Sequence, residues 1–181
     1  MKKLLLILSA SLLLAGCWST TKTQEVSFEN FKMNIDSDFK KTDPTTVDNK
    51  YITNKVLLSY KKAANNGFSD NFMIGKTQVS SWADSDIFAQ MVTAKLSAKV
   101  YSLNQIKTDS VEFKCWDTKY KWTYAIFSTP QNLTNTESDA KNYFMQYYFV
   151  NWWYWYIISF ATTAQKTAEW FVDSIKSLNC N

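Results

Sequence analysis

The chain has no arginine and no histidine, and those two absences exclude more than any motif in it establishes. All 20 basic residues are lysine. Without histidine there is no Ser-His or Cys-His pair, no imidazole metal ligand and no side chain whose ordinary titration falls near neutral pH. Without arginine there is no bidentate clamp for carboxylate or phosphate. Glycine is nearly as scarce: three in 181 residues, one of them Gly16, too few for a phosphate-cradling loop. Only Asp/Glu, Ser/Lys or Tyr chemistry remains. Asp84 and Asp86 stand at an expected helix start, where carboxylates favour the positive end of the helix dipole, and Glu112 stands alone in a strand. No SxxK motif opens a helix. The expectation is a domain with no catalytic residues, metal site or cofactor.

The N-terminus is the most specific signal. Lys2 and Lys3 precede the apolar run Leu4 to Ala15, and Leu14-Ala15-Gly16-Cys17 reads as a lipobox, the cleavage site after which a bacterial cysteine is lipidated. An apolar run of about twelve residues is too short to span a bilayer, which takes roughly twenty. Residues 1–16 are therefore expected to be a signal peptide. Cys17 becomes the lipid anchor, residues 17–25 a polar tether, and residues 26–181 one domain. The expected location is the extracytoplasmic face of a membrane, the outer one where there are two. The signal carries two of the 20 lysines, so 18 remain against 16 acidic residues. A nearly neutral, interspersed surface argues against nucleic acid as a partner. With Cys17 assigned to lipid, Cys115 and Cys180 are left in an oxidising compartment as candidates for one disulfide.

Along the domain, Val26 to Phe28 begins the structure and Phe31 to Ile35 alternates apolar and polar residues as a half-buried strand does. Asp36 to Asn54 reads as a surface loop. Strands are expected at Val56 to Tyr60 and Phe72 to Val79, with turn chemistry at Asn65-Asn66-Gly67. Ser81 and Asp84 suggest a capping box opening a helix to about Val100. Its expected apolar stripe is Ile87, Phe88, Met91, Ala94 and Ala98. Further strands are expected over Ser110 to Cys115, Tyr120 to Phe127, Tyr143 to Val150 and Tyr156 to Phe160. The spacing of Ala164, Ala168, Phe171, Ile175 and Leu178 predicts a closing amphipathic helix. Short connections favour an antiparallel sheet, and the fold class expected is α+β.

Several local features resemble the PsbP-like proteins. They are Phe28-x-x-Phe31 with the Asp-rich loop after it, Gly67-Phe68-Ser69-Asp70-Asn71-Phe72 entering a strand, Tyr156-Ile157-Ile158-Ser159-Phe160, and the ending Ser174-Ile175-Lys176-Ser177-Leu178. The resemblance spans residues 26 to 178. It implies an α-β-α sandwich, a central antiparallel sheet flanked by helices, and a role as a small lipoprotein or accessory subunit with no shared catalytic residues. The function expected is a lipid-anchored cell-envelope protein whose non-catalytic domain binds or stabilises a protein partner.

The run Trp152-Trp153-Tyr154-Trp155-Tyr156 admits other readings. Exposed aromatics could stack on sugar rings, making this segment a carbohydrate or ligand site. The alternative lies in the genetic code. Average usage would put roughly 13 glycines in a chain of this length, whereas tryptophan, ordinarily rare, occurs 8 times. Some bacterial lineages read UGA as glycine, and translating that codon as tryptophan produces such an imbalance. Asn151-Trp152 would then be Asn-Gly, a strong hairpin signal. Cys17-Trp18, Trp116 and Trp122 would also stand where glycine is at home. Trp170 argues the other way, since glycine inside a helix costs about 1 kcal/mol relative to alanine.

Overall fold

In the computed structural model the described residues are 22–46, 55–64, 67–78, 84–100, 102–115, 118–131, 140–151 and 153–180. The expected signal peptide, Cys17, Ser81, the Asn65-Asn66 turn, Trp116 and Trp152 lie outside them.

Ten strands and two α-helices are described. The chain opens with a hairpin, β1 (Thr23–Phe28) and β2 (Phe31–Asp36). Phe28 pairs with Phe31, so Glu29 and Asn30 alone make the turn, and Glu29 takes a left-handed φ of 49° to close it. The strand includes Thr23 to Glu25, which the sequence reading assigned to the tether. Within the expected loop after Asp36 lie a short β3 (Lys40–Thr42) and a 3-10 turn at Pro44–Thr46. Then come β4 (Lys55–Lys61), β5 (Asn71–Gln78), α1 (Ser85–Ser97), β6 (Asn104–Cys115) and β7 (Thr118–Pro130). The chain ends with β8 (Lys141–Asn151), β9 (Tyr154–Thr162), α2 (Gln165–Lys176) and β10 (Asn179–Cys180).

Seven strands form one antiparallel sheet in the order β3-β4-β5-β9-β8-β7-β6, and β1-β2-β10 form a second. This corrects the expected α-β-α sandwich. The molecule is mostly strand, in two antiparallel sheets with two short helices, and is not a sheet flanked by helices. The physical reason lies in the first hairpin. Val26 and Phe28 on β1, with Phe31, Met33 and Ile35 on β2, all point to one side and are buried. That apolar face, with α2 beside it on β8, β9 and β2, covers one side of the large sheet. Only the other side carries a helix alone: α1 lies on β7 and β8.

The central strands are consequently buried on both faces. Residues 122–129 of β7 are all buried, as are residues 145–149 of β8. Phe149 joins the two layers, with its ring 5.3 Å from Phe31 and 4.5 Å from Tyr156. Burying such a side chain contributes about 2–3 kcal/mol.

Helix α1 begins close to the expected place but with a different cap: Asp84 is itself the N-cap, in place of the second member of a Ser81–Asp84 capping box, and accepts a hydrogen bond from the Ile87 backbone N–H at 2.9 Å. Its buried stripe is rotated by one residue from the expected one. Ser85, Phe88, Ala89 and Val92 face the sheet, whereas Ile87 and Met91 are 47% and 45% exposed. Two adjacent i, i+3, i+4 sets fit this sequence. Both contain Phe88, and the observed one centres its ring on Tyr148 and Trp155 while the bulkier Ile87 and Met91 turn outward.

Candidate functional site

The acidic residues singled out in the sequence do not converge, and Asp84 and Asp86 are engaged locally. Asp84 caps α1. Asp86 accepts a hydrogen bond from the Thr123 hydroxyl and lies 3.6 Å from Lys121, docking the first turn of α1 onto β7. Glu112 stands exposed on β6, in register with Lys121 on β7. The Asp84 and Asp86 contacts attach a helix, Glu112 lies apart on β6, and these three present no facing pair of carboxylates.

The aromatic segment is not one surface. Asn151 pairs with Tyr154, so β8 and β9 are joined by two residues, and Tyr154 and Trp155 already belong to the strand. This corrects the expected strand ends at Val150 and Tyr156. Trp153, at the tip, is 61% exposed, and Trp155 is buried under Phe88, with ring centroids 4.0 Å apart. Tyr156 points to the opposite face and packs on Phe149. Strand alternation thus separates Trp155 from Tyr156 by the thickness of the sheet. Tyr154 is half-exposed, and the Lys76 ammonium stands 3.5 Å from its ring centroid. Residues 153 to 155 offer no coplanar platform for a sugar ring.

A polar cluster that sequence reasoning did not find lies beside this segment. Glu29 accepts hydrogen bonds from the Tyr156 hydroxyl and from Lys76 Nζ, the latter at 2.5 Å. Burial raises the Glu29 carboxyl, but the hydrogen bonds and charge of Lys76 and the Tyr156 hydroxyl outweigh it and hold the group below the usual carboxylate range. Burial, and then the bonded carboxylate, push the Tyr156 hydroxyl well up. The cluster ties the β1–β2 turn to β5 and β9. The available signal was a two-residue gap between Phe28 and Phe31, which marks a tight turn but not its partners.

The third feature is a cleft between α2 and the β6–β7 edge, with a volume of about 510 Å³. Ile106 and Lys107 line one side, Tyr124 the floor, and Glu169, Asp173 and Lys176 the helical side. Lys176 lies 2.8 Å from Asp173. Behind Tyr124 the fully buried Tyr147 hydroxyl has no hydrogen-bond partner, and burial pushes it far above its ordinary value. The cleft carries two lysines and two carboxylates around aromatic and aliphatic surface, a composition suited to a mixed polar partner.

Cys115 and Cys180 come together as a disulfide, with Cα atoms 5.4 Å apart. It joins the end of β6 in the large sheet to β10 in the small one.

No protein-family model matches the chain, and no curated protein matches it either. Solved structures do. The Ran-binding protein Mog1p of Saccharomyces cerevisiae superposes with a TM-score of 0.60 at 7% identity, over 88% of this chain and 95% of that one. The cyanobacterial PsbP of Synechocystis sp. PCC 6803 superposes with a TM-score of 0.58 at 9% identity, over 93% of this chain and 99% of that one. The fold is the Mog1/PsbP fold. At such identities the likeness concerns backbone architecture alone. The Mog1/PsbP fold accounts for two unequal antiparallel sheets and two short helices, and it brings no residue roles with it.

Proposed function

We propose that this chain is a lipid-anchored cell-envelope protein, tethered through Cys17, whose non-catalytic domain holds a protein partner. The observation that carries the anchor is the ordered succession of Lys2-Lys3, an apolar run and Leu14-Ala15-Gly16-Cys17. Among the described residues no helix is long and apolar enough to cross a membrane. For the partner, support comes from the fold: Mog1p, of the same architecture, is a Ran-binding protein. The cleft between α2 and the β6–β7 edge is the surface best suited to the role, because its mixed charges and its aromatic floor can all reach a docked side chain. The carbohydrate alternative needs a flat aromatic surface, and residues 153 to 155 point in different directions.

Two measurements test this reading. Cys17→Ser should lose fatty-acid labelling and leave the membrane fraction; unchanged membrane association refutes the anchor. Crosslinking in intact cells should give a stoichiometric adduct that Lys107→Glu/Lys176→Glu abolishes without altering the circular dichroism spectrum. An adduct indifferent to those charges removes the cleft from the proposal, and no adduct above background removes the partner.

A further inference from the structure

Trp122 and Trp155 of the large sheet are crowded by neighbouring rings. Two tryptophans make three close ring contacts: Phe88–Trp155 at 4.0 Å, Trp122–Phe149 at 4.1 Å and Phe113–Trp122 at 4.3 Å. Aromatic pairs ordinarily settle at roughly 4.5–7 Å. Both of these tryptophans are buried, and both leave the indole N–H without a hydrogen-bond partner. An orphaned buried donor costs about 1–3 kcal/mol, and buried indoles ordinarily find a partner. The ladder between β7 and β8 also stops at Thr123–Tyr148, one residue short of Trp122. Its indole stands against Phe149, just beyond the last paired rung.

Two connections between paired strands are only two residues long in sequence, and each includes a tryptophan. Cys115 pairs with Thr118, which leaves residues 116 and 117 between β6 and β7. Asn151 pairs with Tyr154, which leaves residues 152 and 153 between β8 and β9. Two-residue hairpin loops favour glycine, because their turns need positive φ. Glu29 and Ser102 occupy left-handed positions, with φ of 49° and 54°.

We infer that positions 116, 122, 152, 153 and 155 are glycine in the protein as its own cells make it, the codon UGA being read there as glycine. At 122 the Phe113 and Phe149 rings then cover a glycine backbone, an arrangement that suits a glycine within a sheet, and β7 can pair on toward its N-terminal end. At 155 the Phe88 ring settles onto backbone, and α1 docks without an indole beneath it. Two orphan donors disappear. Alanine codons are as GC-rich as those of glycine, yet alanine outnumbers glycine 13 to 3, so base composition alone does not explain the shortage. Trp170 is excluded from the inference: it is 71% exposed in the middle of α2, where glycine would weaken the helix.

The test is mass spectrometry of the chain isolated from the cells that encode it, after cleavage at lysine. Each of the peptides 115–119 and 122–141 should be lighter by one Trp-to-Gly difference, and peptide 142–166 by three. Peptide 167–176, which contains Trp170, should have its written mass. The gene should read UGA at 122 and 155 and UGG at 170. Tryptophan found at 122 or 155, or UGG codons there, overturns the inference and leaves the crowding as a property of the native core. The measurement reads covalent mass and codons, so it does not depend on whether any variant folds.

Discussion

Breaking the Cys115–Cys180 bond should cost the domain a large part of its stability. The two cysteines are 65 residues apart in sequence. In the chain-entropy treatment, closing a loop of that length stabilises the folded state by about 4 kcal/mol. The closed loop contains β7, β8, β9 and α2, and the bond reinforces β10, which has only two residues and pairs with Lys32 and Phe31. Cys180→Ala isolates the crosslink better than Cys115→Ala, because Cys115 is fully buried and its thiol can remain as a small hydrophobe. In a Cys17→Ser background, so that only these two sulfurs count, the oxidised protein should show no free thiol. Its urea transition should fall by up to about 4 kcal/mol on reduction, or roughly 10 °C in melting temperature for a domain of this size. Cys180→Ala should match the reduced protein and ignore the reductant. A reductant-insensitive midpoint in the parent, or two titratable thiols before reduction, refutes the reasoning.

The Glu29 cluster makes stability depend on acid. Because the folded Glu29 carboxyl lies below its ordinary value of 4.5, its contribution is present above that pH and is lost as pH falls through the folded value. The stability gap between the parent and Glu29→Gln should therefore shrink on acidification; a gap constant from pH 7 to pH 3 contradicts the assignment. The corrected face of α1 is tested by two lysine substitutions followed by urea unfolding. Met91→Lys should stay within about 0.5 kcal/mol of the parent, whereas Val92→Lys places a charge against the sheet and should cost several. A larger cost for Met91→Lys than for Val92→Lys would mean that the helix sits as the simple stripe suggested.

The strands were legible where one face is wet. Phe31 to Ile35 alternates because β2 has one buried side, and Val56 to Tyr60 and Phe72 to Val79 each fall within a residue or two of β4 and β5. The first half of β6 was not legible, because residues 104–110 are all exposed at a sheet edge and no apolar alternation marks them. The layer order was hidden for a different reason. Period-two patterning says that Val26 and Phe28 have an apolar face, but not that this face lies on another sheet in place of a helix. The Glu29 cluster depends on residues 47 and 127 positions away, and nothing in the local sequence announces such a meeting. Cys115 and Cys180 stood as candidates for one bond because the expected lipidation of Cys17 leaves the domain only two cysteines.

The β1–β2 hairpin gives the domain unequal resistance to force at its two ends. Residue 22 leads directly into Thr23, which pairs with Asp36 at the open end of the hairpin. A pull on the N-terminal side therefore loads one rung at a time, from Thr23–Asp36 toward Phe28–Phe31, and meets no covalent stop. A pull on the C-terminal side reaches Cys180 and passes through sulfur into the end of β6, so residues 115–180 cannot be drawn out while the bond holds. The domain should unzip softly from its first strand and resist stiffly from its last, a mechanical polarity that single-molecule stretching from either terminus would register.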